Sequence, residues 1–152
     1  MVFPDFKDFP RSGRVLGIDW GARRIGVAIS DETWVFFWSR PQIDIKIVTR
    51  SPAEVVAQIA KDEKVTGIII GLPLYSDGTE SDTATAVRHW ATELTAYTDL
   101  PIIFIAENLT SVAATENLVG MRRGKVKEKL DSESACVILE NGLAMIKRDA
   151  GA

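Results

Sequence analysis

Two apolar runs, RVLGID (14–19) and IGVAISD (25–31), are separated by WGARR, whose Gly21 suits a tight connection. They predict a two-stranded hairpin. WVFFWSRPQIDIKIV (34–48) is aromatic and β-branched, and Pro41, lacking the N–H that a central strand must donate, confines it to an edge or a bend. Helical spacing begins after Ser51, with Pro52 in the first turn and Ala53, Val56, Ile59 and Ala60 on one face. TGIIIGLP (66–73) reads as a buried strand broken at Pro73. The stretch from Asp82 to about Tyr97 predicts a helix whose inward stripe is Ala84, Val87, Ala91 and Leu94. PIIFIAE (101–107) is a further buried strand, and Thr110 or Ser111 caps a helix ending near Gly120. Leu130 to Arg148 predicts a last helix, apolar on more than one side and therefore expected to be well covered.

The order βββαβαβαα predicts an α/β domain: a mixed five-stranded sheet, its first three strands antiparallel and its later strands parallel, with helices on both faces. One domain is expected over 14–148, between an N-terminal arm (1–13) and a short tail (149–152). Strand order does not follow from the pattern. The 152 residues, 46% of them hydrophobic, are ordinary for one globular domain. One cysteine, Cys136, excludes an internal disulfide scaffold and fits a reducing compartment with the thiol in or near the core. No apolar run approaches the ~20 residues of a membrane span, and the arm MVFPDFKDFPRSGR has no apolar signal core, so the expectation is a cytoplasmic protein without membrane attachment.

Charge adds a candidate partner. Arg122, Arg123, Lys125, Lys127 and Lys129 face only Glu128 among their neighbours, in a chain of formal net charge −3. A basic island on an acidic body points to a polyanion, although a solvated loop explains it equally well. Arg23 and Arg24, in the hairpin turn, are further candidates for phosphate contact.

Acids supply the candidate chemistry. Asp19 ends the first strand, Glu107 ends the last, and Asp131 stands at the expected start of the final helix. Ligand sites in open α/β sheets gather beyond the carboxyl ends of strands. Carboxylates converging without cysteine or histidine select a hard cation, Mg²⁺ or Mn²⁺, which relieves their repulsion and serves phosphodiester hydrolysis. Each acid also has a plain structural explanation, as a turn former or a complement to a helix dipole. His89 falls opposite the inward stripe and is expected to be exposed. Among Trp20, Trp34, Phe36, Phe37 and Trp38, most are expected in the core; Trp20, beside Asp19, is the candidate for stacking on a base.

LGIDWGARRIGVAISD (16–31), RP (40–41), GLPLYSDGTES (71–81), VRHWATEL (87–94), AENLTS (106–111) and the KxKxxLDSESA stretch (127–135) together resemble the YqgF/RuvX family over nearly the whole chain. The resemblance implies a ribonuclease H-like fold and a metal-dependent nuclease that matures the 5′ end of pre-16S rRNA in ribosome biogenesis, from a family historically called Holliday-junction resolvases. It places the family's three acids on Asp19, Glu107 and Asp131. The implied partners are nucleic acid, as pre-rRNA or branched DNA, and the precursor of the small ribosomal subunit, with the protein a monomer or weak homodimer. Ala106 and Asn108 depart from the family's DER pattern around the retained glutamate. That departure keeps a second class open, a binding or assembly module with weakened catalysis.

Overall fold

The computed structural model describes the backbone of residues 9–75, 77–107 and 123–151, and the side chains of these except 123–133 and 149–151. Strands β1 (Val15–Trp20), β2 (Arg24–Ser30) and β3 (Phe37–Asp44) precede α1 (Pro52–Asp62), β4 (Gly67–Pro73), α2 (Asp82–Leu94), β5 (Ile102–Glu107) and α3 (Arg123–Gly151). The strands form one sheet in the order β3-β2-β1-β4-β5. β2 pairs antiparallel with β1 and β3, while β4 pairs parallel with β1 and β5. This is the mixed five-stranded sheet expected from the sequence, with β3 at the edge that Pro41 requires. Once β2 lies between β1 and β3, the free side of β1 is open to a parallel crossover, and β4 takes it.

Strand alternation divides the core into two layers. Leu16, Ile18, Ile68, Ile70, Leu72 and Ile102 face α1 and α2, where Val56, Ala60, Val87, Ala91 and Leu94 meet them. Val15, Ile69, Ile103 and Ile105 face α3, through Ala135, Ile138, Leu139, Leu143 and Ile146. Helix and sheet approach closely at Gly17, where a Cβ would lie 2.7 Å from Leu139 Cβ and 2.9 Å from the Ala135 carbonyl oxygen.

Four expectations are corrected. The final helix begins at Arg123, so Arg123, Lys125, Lys127 and Lys129 belong to its first turns and Asp131 lies within it, not at its start. Lysine, glutamate and leucine are good helix formers, and like charge along KVKEKL does not stop the helix. The same helix is covered along one face only; Glu140, Asn141, Ala144, Met145, Lys147 and Arg148 are exposed. α2 stops at Leu94, three residues early, in a turn where the Tyr97 N–H donates to the Leu94 carbonyl. Finally, the aromatic cluster is split. Trp34 is buried and its Nε1 donates to the Gly13 carbonyl at 2.7 Å, but Phe36 is 66% exposed and Trp38 39% exposed. The reason is the turn before β3, in which the Asp31 carboxylate accepts from the Val35 and Phe36 N–H groups at 2.9 Å each and turns Phe36 outward. His89 is exposed and Cys136 half-buried, as expected.

Candidate functional site

β1, β4 and β5 end side by side. The register pairs Ile18 with Ile70, Gly71 with Ile105 and Pro73 with Glu107. With a period of two, Asp19 projects on the face of Val15 and Gly17, and Glu107 on the face of Ile103 and Ile105, which is the α3 side in both cases. β4 runs between these strands, and the residue it places between the two acids is Gly71. A Cβ there would lie 2.8 Å from Glu107 Oε2 and 2.5 Å from Ile138 Cδ1. The glycine thus leaves a gap after the β-branched run Ile68–Ile70, and the Glu107 carboxylate lies over it. Burial first and the charge of Asp19 second push the Glu107 carboxyl up to about 8. Two acids in one partly desolvated place share a proton or take up a cation.

α3 runs antiparallel to β1. Its C-terminal part lies by the amino end of that strand, where Lys147 Nζ donates to the Trp34 carbonyl at 3.1 Å and Arg11 to the Ile146 carbonyl at 3.0 Å. Ala135 lies over Gly17. Position 131 falls one helical turn further on, towards the strand ends that carry Asp19 and Glu107. The Asp131 side chain lies outside the described residues, as do those of Arg123, Lys125, Lys127 and Lys129; Arg122, Asn108, Thr110 and Ser111 lie outside them altogether. Among the described residues no group of three His, Cys, Asp or Glu side chains is assembled.

Arg23, in the turn that follows β1, and Arg24, at the start of β2, stand at the same end of the sheet. Arg23 is exposed and pairs with Asp44, Nε to Oδ1 at 3.7 Å. Gly21 serves the turn through close approach, since a Cβ would lie 2.7 Å from the Arg24 carbonyl oxygen. Trp20 is on the opposite face from Asp19, packed against the layer beneath α1 and α2, so it offers no ring to the acid pair. Ala106 also points away from Glu107, on the side of its partner Leu72. An acid at 106 would face the other layer, so its absence removes nothing from the pair.

Two residues at this end, Gly71 and Tyr75, lie in the GLPLYSDGTES stretch (71–81) that carries part of the family resemblance, without being singled out in it. A glycine beside a β-branched run is a signal of close approach, and it was available. The cavities of about 600 and 670 Å³ lie at the opposite end of the sheet, around Lys64, Val65 and Leu100 and around Ser12–Arg14 and Thr66; of the acids lining the second, Glu63 is paired with Arg14.

The model of the family described as RuvX, Holliday junction resolvase, matches residues 13–145. A relative from Maridesulfovibrio salexigens, named "Putative pre-16S rRNA nuclease", is 39% identical over 86% of this chain and 98% of its own. Relatives of the same name from Roseiflexus sp. and Brucella canis are 36% and 37% identical, over 94% and 80% of their own lengths. Among solved structures, a T. thermophilus RuvC in complex with a Holliday junction substrate is similar at a TM-score of 0.49 and 12% identity, over 86% of this chain and 93% of that one.

Proposed function

The chain belongs to the RuvX family of Holliday junction resolvases, and from that premise we propose that it hydrolyses phosphodiester bonds in structured nucleic acid, with the 5′ end of pre-16S rRNA as its substrate. The observation that carries this reading is that Glu107 lies over Gly71 at the carboxyl ends of parallel strands, near enough to Asp19 for that charge to raise it. The names of the relatives support RNA as the substrate.

Asp19 and Glu107, with Asp131 from α3, would hold Mg²⁺ or Mn²⁺. The donor set fits: it contains only carboxylates, which suit a hard cation, and Glu107 is raised first by its burial and second by the charge of Asp19, both of which a bound cation would offset. A bound divalent ion supplies Lewis-acid chemistry, lowering the pKa of water and offsetting charge on the phosphoryl oxygens. Glu107 must first give up its proton, and its burial ensures that it does so readily only when positive charge replaces it. Arg23 and Arg24 at this end, and the basic first turns of α3, contribute phosphate contacts that position the substrate without reading its sequence. Because Ala106 faces away from the pair, the departure from the family pattern there leaves the proposed ligands intact.

Asp19→Asn tests the reading. It should abolish divalent-dependent cleavage of an RNA carrying the pre-16S 5′ extension while retaining binding of that RNA. Cleavage at the wild-type rate by this variant would reject the assignment. A four-way DNA junction cut faster than the RNA would transfer the substrate from RNA to DNA and leave the chemistry unchanged.

A further inference from the structure

We propose that Tyr75 is a stacking platform for an unpaired nucleobase next to the scissile phosphate. This rests on the nuclease reading above and names the kind of substrate that site accepts. Four aromatic rings are substantially exposed among the described residues: Phe36, Trp38, Tyr75 and Tyr97. Phe36 and Tyr97 lie at the amino end of the parallel strands and Trp38 on the edge strand. Tyr75, 51% exposed, stands at the end that carries Asp19 and Glu107. It follows Pro73, the partner of Glu107, by two residues, or ~7 Å of extended chain, which equals about two base steps.

Hydrogen bonds hold the described residues on either side of the ring. Leu74 bridges to Glu80, the Tyr75 N–H donates to the Thr79 carbonyl at 2.7 Å, and the Gly78 N–H donates to the Tyr75 carbonyl at 2.9 Å. The acids of the turn are occupied within it. Asp77 accepts from the Thr79 N–H and hydroxyl, and Glu80 holds Arg88 through two bonds of 2.6 and 3.0 Å. These bonds keep both carboxyls below their ordinary range and hence ionised. A turn bearing Asp77, Glu80 and Asp82 does not attract a phosphate. It offers an uncharged ring face, and an unpaired base is the part of a nucleic acid that such a face binds.

Fluorescence anisotropy in EDTA tests this, with a duplex bearing a single-stranded extension, its blunt counterpart, and an extension of abasic residues, each made in RNA and in DNA. Tyr75→Ala should weaken binding of the extended probe by about 5- to 150-fold. It should leave the blunt duplex within about twofold, and Tyr75→Phe should bind as the wild type does. The abasic extension should weaken the wild type to the level of Tyr75→Ala and weaken the variant no further. A Tyr75 dependence in RNA, in DNA or in both identifies the source of the base. Equal weakening of blunt and extended probes, or abasic losses as large in the variant as in the wild type, overturns the proposal. The nuclease reading fails separately, through Asp19→Asn that still cleaves.

Discussion

Gly71→Ala puts the site's geometry to its sharpest test, because one methyl group is added where both the proposed ligand and the core begin. The new Cβ would stand 2.8 Å from Glu107 Oε2 and 2.5 Å from Ile138 Cδ1. Against a contact distance of about 3.5 Å, the carboxylate must withdraw by about 0.7 Å and the isoleucine methyl by about 1 Å. Ile138 is buried in the layer beneath α3 and has little room to yield. Overpacking of this kind costs ~1–3 kcal/mol, or about 2–12 °C in Tm for a domain of this size. Glu107 lies at the end of its strand and can yield, but only by moving away from Asp19. A misplacement approaching 1 Å costs on the order of 100-fold in rate, and Mg²⁺ tolerates poor geometry badly. The two consequences separate in the double variant Gly71→Ala/Ile138→Val. Removing Cδ1 should return most of the thermal stability, measured by unfolding in EDTA. Mn²⁺ affinity by calorimetry and single-turnover cleavage should stay depressed, because the methyl group still meets Oε2. Wild-type metal affinity and cleavage in a destabilised Gly71→Ala protein would refute the reasoning and reduce Gly71 to a packing residue.

Other expectations follow from the same geometry. Glu107 is protonated in the metal-free fold up to about pH 8, whereas in the unfolded chain it ionises near 4.5. The folded state therefore binds the extra proton across that window, and its stability should fall as pH rises through it, by at most about 1.4 kcal/mol per pH unit. Thermal unfolding in EDTA between pH 5 and 8 should show this fall, and Glu107→Gln should flatten it; a flat profile in the wild type would show that neither burial nor Asp19 raises Glu107. Over the same range Mn²⁺ affinity should rise with pH, as the cation displaces the proton. Gly17→Ala should destabilise by ~1–3 kcal/mol, since its Cβ would meet Leu139 Cβ and the Ala135 carbonyl, atoms that move only with the helix backbone. Urea unfolding measures this. Replacing Lys125, Lys127 and Lys129 by glutamine should lower the slope of log affinity against log salt for duplex RNA by up to about 3; an unchanged slope would assign the basic turns to solvent.

Much of the fold was legible along the chain because each strand carries its own signal. The hairpin, the edge strand with Pro41, the Ser51-Pro52 helix start and the Ala84–Leu94 stripe all depend on neighbours within a few residues, where propensity and alternation act. The helix start at Arg123 was missed for the converse reason: a charged stretch without apolar periodicity carries no amphipathic signal, although its residues favour the helix. The exposure of Phe36 depends on the hydrogen bonds that Asp31 accepts, and an aromatic run shows no trace of them. Asp19 and Glu107 were legible as residues at strand ends; Asp131 was placed at a helix start, whereas it lies within the helix.

Their meeting was not. It required β4 to lie between β1 and β5, a shared face set by the registers of both pairings, and a glycine at 71, where a Cβ would meet the Glu107 carboxylate. Local sequence thus determined which residues form strands and helices and which acids end them, since these follow from short-range periodicity. Only the tertiary structure decided which ends adjoin, because strand order is set by crossovers between segments dozens of residues apart, whose energy comes from packing α1 and α2 on one face and α3 on the other.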